Sequence, residues 1–159
     1  MAMTMNDLTV NFRHLDSATL LEDWHWLIGL SKTPILLTAS GNAFVQDEND
    51  DSVHFLDTDA AQLSLVAENP EALRDLLADR EFAANYLAVQ MIGALLQSGM
   101  RLGPGQIYSF KILPGLGGQY ALENIEVSDI AVHFSITGQI HQKVKDLPEG
   151  AKIDGFSIS

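Results

Sequence analysis

The chain has no cysteine, which excludes disulfides, thiolate metal sites and thiol nucleophiles and gives no reason to expect an oxidising compartment. It is also poor in positive charge. Nine Lys and Arg residues stand against 21 Asp and Glu, for a formal charge of −12. A field of that sign repels phosphate backbones, which argues against direct nucleic-acid binding, and it accelerates encounter with a basic partner. Long apolar runs are missing too: the richest stretch, YLAVQMIGALLQSGM, is interrupted by Gln90 and Gln97 and falls short of the roughly 20 residues a membrane span needs. The opening MAMTMNDLTVNFRHLD has neither the basic n-region nor the continuous apolar h-region of a signal peptide. A soluble, cytoplasmic protein with no membrane contact is expected.

What is present suffices for one hydrophobic core: 159 residues, 47% of them hydrophobic. Residues 1–16 show no clear period and read as an N-terminal extension, with 17–159 as a single domain. Leu20, Leu21, Trp24, Leu27 and Ile28 recur at helical spacing, with Asp16 or Ser17 as N-cap, which predicts a helix ending at Gly29. Within it, Trp24 and Trp26 are expected on different faces, at least one of them covering core. Short apolar stretches bounded by turn residues predict strands at Pro34 to Thr38, Ala43 to Val45, Val53 to Asp57 and Gln62 to Ala67. Asn69-Pro70-Glu71 starts a short helix running to about Asp79. A second, longer helix carries Phe82, Tyr86, Val89, Ile92, Leu95 and Leu96 and stops at Ser98-Gly99. A strand follows from Gln106 to Leu113, then a loop from Pro114 to Gly118, then a further extended stretch from Tyr120 to Val127. From Ser128 the pattern fits both a strand and a helix. A helix is chosen, capped by Ser128, with Lys143 and Lys145 at its C-terminal end and Pro148 and Gly150 as its stop, although Gly138 inside it costs about 1 kcal/mol relative to Ala. The order predicts an α+β fold, a single domain with a mainly antiparallel sheet packed against several helices.

The densest chemistry is the stretch Asp47-Glu48-Asn49-Asp50-Asp51. Aligned to a calcium EF-hand loop, it puts Ser52 where the sharp turn needs Gly and Thr58 where a bidentate Glu must close the shell, so the closing ligands are missing. Asp and Asn between two strands are ordinary turn material, and a solvated hairpin tip is the plainer reading. The histidines, at 14, 25, 54, 133 and 141, have no zinc spacing; His133 and His141 lie two turns apart on the proposed helix and share a face only loosely. Gly115-Leu116-Gly117-Gly118 matches neither G-x-G-x-x-G nor a phosphate loop, and reads as a loop needing positive φ. No serine sits in a G-x-S-x-G elbow. No catalytic residue, metal or cofactor is implied.

Taken in order, W-x-W-L, "PILLTASGNAFVQD", "VHFLDT", "LGPGQIYSFKILPGLGGQYALENIEV" and "VHFSITGQIHQKVKDLPEG" resemble a family of bacterial immunity proteins of type VI secretion, specifically the C-terminal domain of the antidote to a secreted DNase. The likeness covers residues 17–153. It implies a non-enzymatic protein that binds a cognate toxin, a nuclease, and occludes its active site. Relatives often carry an additional N-terminal domain, for which this chain has no room. The family supplies no catalytic residues to carry over. Independently of the resemblance, Asp47, Glu48, Asp50, Asp51, Asp57 and Asp59 fall in a stretch without Lys or Arg. A nuclease presents cations to phosphate, so these six are expected to form a partner-binding face for a basic protein toxin. The alternative is a small ligand-binding or regulatory α+β domain using the loop from Gly115 to Tyr120.

Overall fold

The computed structural model describes residues 3–146. A five-stranded antiparallel sheet of order β1-β2-β3-β4-β5 is built from β1 (Thr9–Val10), β2 (Lys32–Thr38), β3 (Ala43–Asp47), β4 (Val53–Asp57) and β5 (Gln62–Ala67). β6 (Gln106–Phe110) and β7 (Ile125–Asp129) form a separate antiparallel hairpin. The helices are α1 (Met5–Leu8), α2 (His25–Ile28), α3 (Pro70–Leu77), α4 (Arg80–Tyr86), α5 (Val89–Gln97) and α6 (Ile130–Lys145). The expected α+β class and antiparallel sheet are what the structure has.

Alternation along the strands divides the core in two, because successive side chains leave opposite faces of a sheet. On one face Phe44, Val53, Phe55 and Ala67 pack against Leu73, Leu87, Ile92, Leu95 and Leu96. There Phe44, Phe55, Phe82 and Tyr86 form an aromatic cluster, with Phe55 and Tyr86 edge-on at 4.9 Å. On the other face Leu37, Ala43, Val45 and Leu56 meet Trp24, Ile28, Ile130 and Phe134. The small hairpin joins the two cores: Tyr108 and Phe110 enter the first, Ile107 the second.

Four local expectations are corrected. The segment before Gly29 is not one helix but turns, a 3-10 turn at Glu22–Trp24 and the single turn of α2. Its apolar residues are nonetheless the buried ones, Leu20, Leu21, Trp24 and Ile28. The periodicity reported burial, while close passage against α6 sets the backbone. Because the chain leaves helical geometry at Trp24 (φ −107°, ψ 0°), the two indoles stack at 5.6 Å instead of facing apart. The long helix expected through Phe82 and Leu96 breaks at Ala88, which is left-handed (φ 51°, ψ 48°). That conformation costs about 1–2 kcal/mol for a residue with a Cβ, and the break lets Leu87 be fully buried between α4 and α5. The stretch from Tyr120 contains a 3-10 turn, Leu122–Asn124, before β7 begins at Ile125. Asn124 holds that turn, its side chain bonding Ile112 N, Ile112 O and Gln119 O.

The ambiguous segment is strand to Asp129 and helix from Ile130, so Ser128 lies in β7 and does not cap α6. The stop at Pro148 and Gly150 falls outside the described residues. In the stretch read as an extension, Thr9 and Val10 pair with Thr38 and Leu37, and Leu8 is buried.

Gly138 is explained by packing. A Cβ there would lie 2.5 Å from the Asp23 carbonyl oxygen, and the Trp26 indole N–H donates to the Gly138 carbonyl at 3.2 Å. Gly138→Ala is therefore expected to destabilise by about 1–3 kcal/mol in urea unfolding, against the helix-propensity gain of about 1 kcal/mol. A more stable variant would contradict the close approach.

Candidate partner-binding site

The turn between β3 and β4 is built by its own acids. Asp47 Oδ1 accepts from Asn49 N at 2.8 Å, and Asp50 Oδ1 accepts from Ser52 N at 3.0 Å and Ser52 Oγ at 2.6 Å. Those two bonds hold the Asp50 carboxyl below its ordinary pKa. Asp51 takes the left-handed conformation (φ 64°) that Asp and Asn tolerate best after Gly. Lys32 Nζ lies 3.5 Å from Asp47 Oδ2, while Glu48, Asp50 and Asp51 are exposed. Glu48, Asp50 and Asp51 thus form one solvated tip, with Asp47 paired to Lys32 at its base.

Asp57 and Asp59 lie elsewhere. They flank Thr58 at the β4–β5 turn, at the other end of β4, a strand of five residues and hence about 17 Å long. Asp57 Oδ1 accepts from Asp59 N (2.9 Å) and Ala60 N (3.2 Å), closing that turn. Asp59 is 9% exposed and its Oδ1 has no hydrogen-bond partner among the described residues. The glycine loop passes close to its backbone: a Cβ on Gly115 would lie 2.8 Å from the Asp59 carbonyl oxygen. Burial, and then the charge of Asp57, push the Asp59 carboxyl up to about 7. The structure therefore brings four of the six acids together, puts Asp57 at the opposite end of the sheet and buries Asp59.

A buried polar network joins the turn before β3 to the turn after β4. His133 Nε2 meets the Gly41 carbonyl at 2.7 Å, so it must carry the proton, and Nδ1 accepts from Ser109 Oγ at 2.8 Å. Thr58 Oγ1 donates to the same carbonyl at 2.7 Å, and Asn42 Oδ1 accepts from Thr58 N at 2.9 Å. Two turns along α6, His141 Nε2 donates to the Thr58 carbonyl at 2.9 Å. Both histidines thus face the sheet. Burial pushes His133 down to about 4. A base that weak takes a proton poorly from a serine hydroxyl, so the contact with Ser109 suits anchoring α6 more than activating a nucleophile. Sequence reading missed this network; its signal is the polar residues Ser40, Asn42 and Thr58 set against strand ends.

Beside Ser109 and His133 runs a groove of about 260 Å³ whose lining includes Ile112, Leu116, Ile136 and Ile140. It is smaller than the roughly 300–1,000 Å³ of ordinary ligand pockets. Among the described residues, no group of three or more His, Asp or Glu side chains is placed to hold a metal ion. No helix among them is long and apolar enough to cross a membrane.

Residues 67–141, from the last residue of β5 into α6, match the family model of the T6SS immunity protein Tdi1, C-terminal. This match supports a type VI secretion immunity family for the chain. Strands β1 to β4, with both acidic turns, lie outside the span that matches the immunity family. The crystal structure of Atu4351 from Agrobacterium tumefaciens is similar with a TM-score of 0.55 at 19% identity, covering 79% of this chain and 65% of that one. At that identity the likeness concerns the fold, and the chain spans just under two thirds of that protein's length. No curated protein matches the chain.

Asp59 gives a testable pH dependence. Its folded pKa is raised, so the native state holds the extra proton between about 4 and 7 and loses stability as pH rises through that range. The groups that bear on its charge are Asp57 and Tyr120. Asp59→Asn should raise stability by roughly 2–4 kcal/mol at pH 8 and change it little near pH 4. Equal gains at both pH values would contradict a buried charge as the cause. His133 acts with the opposite sign: its lowered pKa costs stability as pH falls from about 6.5 towards 4.

Proposed function

We propose that this chain is a non-enzymatic antidote that binds a secreted nuclease toxin in the cytoplasm and occludes the toxin's active site. The observation that carries the reading is the family match over residues 67–141. Its physical support is charge. The chain bears −12, and the turn at Asp47, Glu48, Asp50 and Asp51 projects the exposed carboxylates of Glu48, Asp50 and Asp51 from a sheet packed on both faces. A nuclease groove must attract phosphate, and rigidly held carboxylates compete for the same cations with little ordering cost. In this reading Asp57 adds to the acidic surface at the far end of the sheet, whereas Asp59 contributes through stability and not contact.

The reading is tested by affinity capture of the tagged protein from lysate of its own organism at low and moderate salt, with retained proteins identified by mass spectrometry. One stoichiometric basic toxin is expected; retention of none, with the toxin repertoire demonstrably expressed, would overturn it. Against the captured toxin, charge reversal at Asp47, Glu48, Asp50 and Asp51 should slow association about tenfold or more and flatten its salt dependence. An unchanged association rate would remove the tip from the interface.

A further inference from the structure

The sheet has two edges, and they are treated differently. β1 is two residues long, and a very short edge strand offers little to pair with. β5 has six residues, Gln-Leu-Ser-Leu-Val-Ala, with no charge and no proline. Soluble proteins normally blunt such an edge with Lys, Pro, a bulge or a covering element. The one irregularity of β5 is confined to its Ala67 end. From Leu65 to Gln62 it pairs in regular register with His54, Phe55, Leu56 and Asp57. Gln62, Ser64 and Leu65 are exposed, Leu65 at 67%. Every second residue of an antiparallel edge strand turns its N–H and C=O outward. Among the described residues, the backbone of Gln62–Ala67 bonds only to β4.

We propose that β5 is a strand-addition site for an extended segment of the partner, apolar at alternate positions and flanked at both ends by Lys or Arg. The unpaired edge specifies an extended backbone, and the charges around it specify the flanks. Between Lys32 and Arg74 the chain has eight acids and no Lys or Arg. Asp57 pairs with Gln62 at one end of β5. At the other end Glu68 follows Ala67, whose partner Val53 adjoins the acidic β3–β4 tip. A second copy of this chain would bring acid onto acid in either direction, antiparallel with Glu68 against Asp57 or parallel with like ends together, which is unfavourable by several kcal/mol when close. A basic partner satisfies both ends. The proposal rests on the antidote reading and adds to it the element that the toxin contacts and the chemistry of the toxin segment.

The test is residue-resolved hydrogen exchange of the full chain, alone and with a catalytically inactive form of the captured toxin, together with the affinity of Leu65→Lys. The expected result is new protection at alternate amides within 62–67 on binding. Leu65→Lys should bind at least tenfold more weakly while keeping the wild-type melting temperature. A bound toxin that leaves those amides as fast as in the free chain, with Leu65→Lys binding like wild type, overturns the edge and leaves the antidote reading standing. Concentration-dependent protection of the same amides without toxin assigns the edge to self-association and overturns the basic partner. A toxin that the wild-type chain does not bind at all overturns the antidote reading and this proposal with it.

Discussion

His133 is buried on α6 with both ring nitrogens committed, one to the Gly41 carbonyl and one to the Ser109 hydroxyl. That single side chain ties the helix to the turn before β3 and to the small hairpin, and Thr58 extends the tie to the turn after β4. Removing it would leave the Ser109 hydroxyl without its partner and the Gly41 carbonyl with the Thr58 hydroxyl alone, and a buried polar group left unpaired costs about 1–3 kcal/mol. Around it the approach is close. Gly41 is a glycine because a Cβ would lie 2.6 Å from His133 Nε2, and Gly138 because α6 meets the carbonyl of Asp23. Trp24 then packs between His141 and Trp26, closing the second core.

The strands were largely legible because alternation and turn residues are local signals: Val53–Asp57 and Gln62–Ala67 follow the expected bounds. The helix at Pro70 was legible for the same reason, since Asn69 caps it by accepting from Ala72 N. What was not legible depends on distant partners. The irregular path to Trp24 follows from α6, more than a hundred residues away, and the break at Ala88 from the burial of Leu87 between α4 and α5 in the first core.

The acids show the same division. As turn material, Asp47 and Asp50 behave as their spacing predicts, each closing its own turn. As a face, the six could not be judged from their order, because β4 separates four of them from the other two, and Asp59 is buried. The resulting surface is a sheet packed on both faces, with carboxylates near both ends of β5. Such packing matters for binding, since groups already held in place lose little freedom when a partner arrives. The weak His133 base is engaged in structure, its ring nitrogens bonded to Gly41 and Ser109.

The central claim is that the chain works by stoichiometric occupation of a toxin and not by turnover. The direct measurement is the nuclease activity of the captured toxin titrated with this chain at concentrations well above Kd. The account predicts that activity falls linearly to zero at one equivalent and that preincubation time does not shift the end point. Loss of activity far below one equivalent, deepening with time, would mean enzymatic inactivation, and undiminished activity at excess chain would mean no antidote function; either would contradict the account.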